Sequence, residues 1–206
     1  MKKRLWGFAL FGLLGILSLV FDSQISLFFQ SIRNPILNYL FIGFAFEIET
    51  LLVLFVLTSL FLFREKKKEW ILPLWITAGF TALITFIIKI IIQRPRPFET
   101  GIISGLPLAI ELLGRGIDIW NFSFPSFQAA LAFSALPLLD KEFKKLKYAW
   151  LVIAVIISLS RVYFGVHYMS DVIFGAMMGY IVGLGVVKIK EAVYTKNGHK
   201  IKNKKK

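Results

Sequence analysis

Cysteine is absent from this 206-residue sequence and histidine occurs only twice, which excludes several kinds of functional site. Without cysteine, the chain has neither disulfide bonds nor thiolate metal sites. A cluster of histidine ligands is excluded as well, because His199 lies in a lysine-rich segment and leaves His167 by itself. We therefore expect neither a metal ion nor another cofactor at a functional site.

Charged residues make up only 18% of the chain, whereas hydrophobic residues reach 57%, above the roughly 45–50% usual for soluble domains. The mean hydropathy is +0.71. The apolar residues fall in long blocks, and such blocks suit helices that cross roughly 30 Å of hydrocarbon. The sequence predicts an all-α fold, a polytopic membrane helix bundle with about six transmembrane helices at 5–21, 40–63, 70–92, 125–139, 148–163 and 170–187. We expect one membrane domain over residues 1–190, followed by a basic, disordered cytoplasmic tail over residues 191–206.

The first apolar block follows a basic N-terminal segment and could therefore be a signal peptide. However, the residues after it are Phe21-Asp22-Ser23-Gln24, which do not resemble a small-residue cleavage site. We interpret this block as a helix that the protein retains.

The formal net charge of +13 would suggest a nucleic-acid partner in a soluble protein, but the positions of the charges argue against one. Most lysines and arginines lie in short segments beside the apolar blocks, at 2–4, 64–68, 141–147 and 188–206. Cytoplasmic loops of membrane proteins carry such an excess. We therefore expect a multi-pass protein of the cell membrane with both termini in the cytoplasm and anionic lipid near the basic tail. The opposite side would carry Arg33, Arg94, Arg96, Arg115 and Arg161.

Two prolines mark the end of the third apolar block. A residue before proline avoids the helical region and proline lacks the backbone donor, so the helix must end where Arg94-Pro95-Arg96-Pro97 begins. The polar connection that follows runs to about residue 124. Loops of this length inside a compact domain are usually functional.

The segment 160–171 interrupts the apolar chain with Arg161, His167 and Asp171, which cost several kcal/mol to bury unless they pair or meet water. If the next helix begins near His167, then His167 and Asp171 lie four residues apart on one face. Asp171 could accept the proton of one ring nitrogen and leave the other nitrogen free as a nucleophile or base. A structural histidine beside an Arg–Asp ion pair is the alternative. The occurrence of all three at a membrane boundary favours a functional site.

Three separated stretches meet on the outer side in this topology: the end of the third helix, the start of the fourth, and the segment 160–171. Lys89, Arg94 and Arg96 would join Arg161 as a cage of cations that suits a group with two negative charges. Lys89 could instead extend to the membrane interface. Ser126 at a helix N-terminus would add a hydroxyl and backbone N–H groups for an anion, or act simply as an N-cap.

These stretches carry a recognisable set of motifs. Residues 89–97 read K-x6-R-P, Pro125-Ser126 begins what should be P-S-G-H, and residues 160–171 read S-R-x5-H-x3-D. The set resembles the type 2 phosphatidic acid phosphatase superfamily of membrane lipid phosphatases. The resemblance implies a metal-independent phosphatase with a phosphohistidine intermediate, in which His167 attacks phosphorus and Asp171 orients it. It also implies that the phosphoryl oxygens are held by Lys89, Arg96, Ser126, Arg161 and the backbone N–H of Phe127.

The second motif departs from the family at Phe127 and Gln128, which replace its glycine and its general-acid histidine. Glutamine donates a hydrogen bond but cannot deliver a proton, and loss of a positioned acid typically costs about 10²–10⁴ in rate. Glu47 or Glu49 in the second block could supply the proton, or serve a structural role. We expect lipid diphosphates to be favoured over phosphatidic acid, because phosphate is the better leaving group.

The leading hypothesis is an integral membrane phosphatase that hydrolyses lipid phosphates or diphosphates, of the phosphatidic acid or polyprenyl (undecaprenyl) diphosphate type, at the extracytoplasmic face. A non-catalytic protein that binds lipid phosphates would keep the same cations and is the main alternative. A small transporter or channel subunit would need a polar path through the bundle, which the pattern does not indicate.

Overall fold

The computed structural model describes residues 2–44, 48–104 and 122–203, and these residues form helices and parts of the segments between them, without a β-strand. A 3-10 helix at Glu65–Trp70 joins α3 to α4. The α-helices are α1 (Lys2–Ser31), α2 (Pro35–Ile42), α3 (Ile48–Leu62), α4 (Ile71–Ile92), α5 (Phe127–Ser134), α6 (Leu136–Glu142), α7 (Leu146–Tyr163) and α8 (Met169–Asn203). The predicted all-α class is confirmed.

Among the described residues, four helical segments are long and apolar enough to cross a membrane: Ala9–Ser31, Lys67–Ile92, Leu146–Tyr163 and Met169–Thr195. Many large apolar side chains on these segments are exposed, including Val20, Leu72 and Ile91. Large exposed apolar surfaces are rare on soluble monomers and are expected where a helix faces lipid. The chain is therefore a multi-pass membrane protein.

The structure differs from the predicted six continuous spans at two blocks. The second block is divided between α2 and α3, and the fourth between α5 and α6. Pro137 lies in the first turn of α6, a position that tolerates proline; within one continuous helix its ring would clash with the carbonyl group four residues earlier and a backbone donor would be missing. Each of these four helices is too short to count as a full span by itself.

The end of α4 agrees with the prediction from the prolines. The helix ends at Ile92, and Gln93 adopts a left-handed conformation with φ of 50° while its N–H donates to the carbonyl of Lys89. The chain then leaves the helix direction at Arg94-Pro95. Lys89 consequently lies in the last turn of α4, beside the loop that follows.

A row of glycines on α8 brings α5 into direct backbone contact with it. A Cβ atom added at Gly179 would lie 1.8 Å from the carbonyl oxygen of Ala130, and one added at Gly183 would lie 2.1 Å from that of Ser134. In the same way, a Cβ atom added at Gly175 would lie 2.5 Å from the carbonyl oxygen of Ser126. Small residues permit such close helix packing in membranes. The start of α5 is thereby placed against the start of α8.

Two predictions concern the ends of the described ranges. The last helix extends to Asn203, so residues 191–203 are helical, and the separate basic cytoplasmic tail over residues 191–206 stays a prediction. Glu47 and Arg115 lie outside the described residues, as does the side chain of Glu49.

Candidate active site

His167 lies in the turn between α7 and α8 and is 2% exposed. The turn depends on Gly165, whose φ of 69° is a left-handed conformation that a side chain would strain. A Cβ atom there would also lie 2.4 Å from Ile103 Cδ1. The N–H groups of Val166 and His167 both donate to the carbonyl of Arg161, at 3.1 and 3.3 Å. The turn therefore folds the histidine back onto the last turn of α7.

The imidazole of His167 has a backbone partner that the sequence did not indicate. Its Nδ1 lies 2.7 Å from the carbonyl oxygen of Ser123. A carbonyl only accepts hydrogen bonds, so Nδ1 carries the proton and Nε2 keeps its lone pair. The neutral ring is thus held in one tautomer with Nε2 available.

Asp171 is near this ring but does not accept its proton. Asp171 Oδ2 lies 3.7 Å from His167 Nδ1, beyond hydrogen-bond distance. It accepts the backbone N–H of Tyr168 at 2.8 Å instead. The expected direct bond is replaced because α8 begins at Met169 and not at His167, so the two residues do not occupy successive turns of one helix.

Three buried cations act electrostatically on the histidine. Lys89, Arg96 and Arg161 are 1%, 7% and 3% exposed. Burial lowers the pKa of His167 well below its ordinary value, and the positive charges of Lys89, Arg96 and Arg161 lower it further, against a smaller opposing effect of the Ser123 hydrogen bond. His167 is therefore neutral near pH 7, the state that a nitrogen nucleophile requires.

Each cation comes from a different element. Lys89 lies in the last turn of α4 and donates to the carbonyl of Phe122. Arg161 lies in the last turn of α7, and Arg96 lies in the loop after α4. The loop is tied to the segment that holds the imidazole, because Ser123 N donates to the carbonyl of Arg94 at 2.7 Å and Ser123 Oγ to that of Pro95 at 3.0 Å. These two hydrogen bonds therefore position both the loop that carries Arg96 and the Ser123 carbonyl that binds His167.

Ser126 precedes the first turn of α5, and its side chain is fully buried. Its hydroxyl does not cap the helix and has no hydrogen-bond partner within the described part of the chain. Phe127 and Gln128 occupy the first helical turn and are half-buried. A helix N-terminus with a buried, unpartnered hydroxyl is suited to an anion.

Arg94 does not belong to the cation cage, contrary to the expectation from the sequence. Its Nη1 lies 2.8 Å from Asp171 Oδ1, its Nη2 lies 2.8 Å from Asp22 Oδ2, and the guanidinium stacks 3.9 Å above the ring of Tyr168. Two carboxylates thus neutralise its charge. These two ion pairs account for the position of the Arg94 guanidinium.

Sequence reasoning missed both Ser123 and Asp22 as contributors to this region. Ser123 acts through its backbone carbonyl, which any residue type supplies, so no sequence signal was available. Asp22 had a usable signal, since it is a carboxylate within an apolar helix and such residues are costly unless employed.

The arrangement combines a neutral imidazole, three buried cations and a hydroxyl at a helix start. Positive groups fixed in a buried site stabilise the charge of a phosphoryl group more strongly than they would in water. Among the described residues, no group of three or more His, Cys, Asp or Glu side chains is placed to hold a metal ion. The arrangement therefore suits an anionic group placed beside an available ring nitrogen.

Known proteins resemble this chain in sequence and in fold. An uncharacterized protein of Methanocaldococcus jannaschii is 25% identical over 170 residues, which cover 78% of this chain and 65% of that protein. Phosphatidylglycerophosphatase B of Bacillus subtilis is 31% identical over 173 residues, which cover 78% of each chain. The crystal structure of the transmembrane PAP2 type phosphatidylglycerolphosphate phosphatase from Bacillus subtilis superposes with a TM-score of 0.68 at 25% identity. The superposition covers 94% of this chain and 98% of the Bacillus subtilis phosphatase.

The profile of the PAP2 superfamily matches residues 70–194, which is more than half of the chain. That range contains every side chain of the cation cage, the imidazole and the start of α5. Together with the relative that matches over most of both chains, it shows that this protein belongs to the PAP2 superfamily.

Proposed function

We propose that this protein is a membrane phosphatase that hydrolyses lipid phosphates or diphosphates at the extracytoplasmic face through a phosphohistidine intermediate. The observation that carries the proposal is the neutral His167, with Nδ1 bound to the Ser123 carbonyl and buried cations around it. Membership in the PAP2 superfamily supports the class of reaction. The similarity to a phosphatidylglycerophosphatase supports a lipid phosphate as substrate.

The first step would be attack of His167 Nε2 on phosphorus. A P–N bond forms while the P–O bond to the leaving group breaks. The leaving group is the lipid alkoxide in a monoester, which takes a proton from water, and the lipid monophosphate in a diphosphate. Lys89, Arg96 and Arg161 meet the charge on the equatorial oxygens, as positioned cations do in phosphoryl transfer. The Ser123 carbonyl stabilises the positive charge that develops on the imidazole.

The second step would release the phosphate. Water attacks phosphorus, the P–N bond breaks, and the proton of that water passes to solvent while His167 returns to the neutral form. The cations act in both steps on the same oxygens. Side chains supply all the positive charge in this scheme, so the proposed reaction is metal-independent.

Gln128 determines the substrate preference in this proposal. It stands in the first turn of α5, where the family has a histidine that protonates the leaving oxygen. A phosphate monoester without that acid must expel an alkoxide, whereas a diphosphate expels a phosphate. The proposed activity is therefore reduced on monoesters and favours lipid diphosphates such as polyprenyl diphosphates.

The charge pattern and the position of the site support the proposed orientation. The ends of α4 and α7 and the starts of α5 and α8 lie together at one end of the bundle. Basic residues cluster at the opposite end, where Lys67 pairs with Glu142 and Lys190 with Glu69. Because cytoplasmic loops are rich in lysine, both termini lie in the cytoplasm and the site lies outside.

Phosphate release by the purified protein tests the proposal. The substrates are a polyprenyl diphosphate, phosphatidylglycerophosphate and phosphatidic acid, and the variants are His167→Ala and the matched control His199→Ala. We expect His167→Ala to abolish release and His199→Ala to leave it unchanged. Equal release by the unmodified protein and His167→Ala would contradict the proposal.

A non-catalytic lipid-phosphate-binding protein is the second candidate, and Gln128 is the observation that favours it. In that case the unmodified protein would release no phosphate from any of the three lipids. It would still bind them, and His167→Ala would retain most of the binding because the three cations remain.

A further inference from the structure

Asp22 is a buried carboxylate within the membrane-spanning part of α1, far in sequence from the motifs. It is 3% exposed, and a charge at such a position is costly unless it has partners. Its Oδ2 lies 2.8 Å from Arg94 Nη2, and its Oδ1 accepts the backbone N–H of Ser170 at 3.0 Å. The hydroxyl of Ser170 also donates to Oδ2. All of these contacts are with residues at the edge of the proposed site.

The contacts continue from Asp22 to the histidine turn. Arg94 Nη1 donates to Ser170 Oγ at 2.7 Å and to Asp171 Oδ1 at 2.8 Å. One guanidinium therefore bridges the carboxylates of Asp22 and Asp171. The second oxygen of Asp171 accepts the N–H of Tyr168 and lies 3.7 Å from His167 Nδ1.

Asp22 also completes the N-terminus of α8. The first N–H groups of a helix lack partners within the helix, and a carboxylate there is favourable because of the helix dipole. Ser170 is the second residue of α8, and its N–H is bound by a side chain of α1 instead of one from the preceding turn. The start of α8, and with it the turn that carries His167, is thereby attached to α1.

We propose that Asp22 is a positioning residue: through Arg94 and Ser170 it fixes the start of α8, and so holds the His167 imidazole in its productive orientation. The proposal rests on the phosphatase function proposed above. Asp22 does not touch the phosphoryl group in this scheme, and it acts only on the geometry of the nucleophile.

Kinetics of Asp22→Asn test this role, because the variant keeps the shape of the side chain and removes its charge. A small displacement of a reacting group can cost up to about 10²-fold in rate. We expect kcat to fall about tenfold to a hundredfold, with KM nearly unchanged because the cation cage remains. A change confined to KM would overturn the proposal.

Ser18→Ala is the matched control. Ser18 lies one helical turn before Asp22 on α1, is buried, and donates its hydroxyl to the carbonyl of Gly15 in its own helix at 2.8 Å. We expect its kcat to equal that of the unmodified protein. A loss equal to that of Asp22→Asn would show that any change on this face of α1 suffices, and would overturn a specific role for the carboxylate.

A spectroscopic measurement separates this inference from the proposed function. The chain has only two histidines, so in a His199→Gln background the ¹⁵N-histidine NMR spectrum reports His167 alone. We expect a protonated Nδ1 and an unprotonated Nε2 before further substitution. Asp22→Asn should produce a mixture of tautomers, whereas Ser18→Ala should not change the spectrum.

The two failures give different results. If His167→Ala releases as much phosphate as the unmodified protein, the proposed function fails, but the NMR comparison still tests Asp22. If Asp22→Asn keeps both its kcat and its His167 spectrum, the positioning role fails while the phosphatase remains. Should Asp22→Asn not fold, Ser170→Ala replaces it, since that variant removes the shared hydroxyl and keeps both charges. An unchanged kcat and spectrum for Ser170→Ala would overturn the proposal.

Discussion

The backbone N–H of Ser126 donates to the carbonyl oxygen of Asp171 across 3.0 Å. This bond joins the start of α5 to the first turn of α8, although the two residues are far apart in the sequence. It leaves the Ser126 hydroxyl buried beside the histidine turn without a partner among the described residues. The second and third motifs are therefore joined through their backbones.

Ser126→Ala should weaken anion binding without weakening the fold. The hydroxyl has no partner in the described structure, so its removal leaves no polar group unsatisfied. A hydrogen bond to a charged group contributes about 1.5–3 kcal/mol, which corresponds to roughly tenfold to a hundredfold in affinity. Inhibition of phosphate release by orthovanadate measures the effect.

The control is Ser134→Ala on the same helix, whose buried hydroxyl donates to the carbonyl of Leu131 at 2.8 Å. Equal vanadate inhibition constants for the two variants would contradict the prediction.

Gln128→His should restore a proton donor for the leaving oxygen. A positioned acid is worth about 10²–10⁴ in rate when the leaving group needs it. We expect a large increase in phosphate release from phosphatidic acid and a small one from a polyprenyl diphosphate. Gln24→His, at an exposed position on α1, is the control for an added histidine. A similar gain on both substrates would show that leaving-group protonation does not explain the preference.

The pH dependence should report the cations around His167. Because burial and the three positive charges lower the pKa of His167 below its ordinary value of 6.5, the reactive neutral form persists as the pH falls through that value. The acidic limb of kcat/KM should therefore lie below pH 6.5. Lys89→Met removes one cation, which raises the pKa of His167 and moves the limb to higher pH. In the control Lys190→Met, at the other end of the bundle, the limb should not move. A limb that stays in place for Lys89→Met would exclude this electrostatic coupling.

Gly179→Ala should separate α5 from α8. The added Cβ would lie 1.8 Å from the carbonyl oxygen of Ala130, so the helices must move apart. Overpacking of this kind costs about 1–3 kcal/mol, and phosphate release should fall because Ser126 moves with α5. Gly185→Ala on the same helix is the control, because its added Cβ meets nothing within 4 Å. Thermal unfolding in detergent measures both variants, and equal Tm values would contradict the packing argument.

The sequence by itself determined the features that depend on residue type and local order. Long apolar blocks require a membrane because no soluble fold could bury them, and the prolines after Arg94 end α4 because they lack a donor. The motifs predicted His167, Lys89, Arg96 and Arg161 as site residues, since only a few side chains carry the charge and chemistry for a phosphoryl group. The charges of these three cations all act on His167 in the structure.

Only the tertiary structure decided how these groups are held. The partner of His167 is a backbone carbonyl, which has no signature in the sequence. The hydrogen bond expected between His167 and Asp171 required a helix that begins at His167, but α8 begins two residues later, at Met169. Arg94 does not join the other cations because it forms ion pairs with two carboxylates, one of which lies on α1. Contacts such as Ser170 to Asp22, 148 residues apart, arise from helix packing. That packing depends on the glycine row of α8, where the absence of side chains sets the distance between backbones.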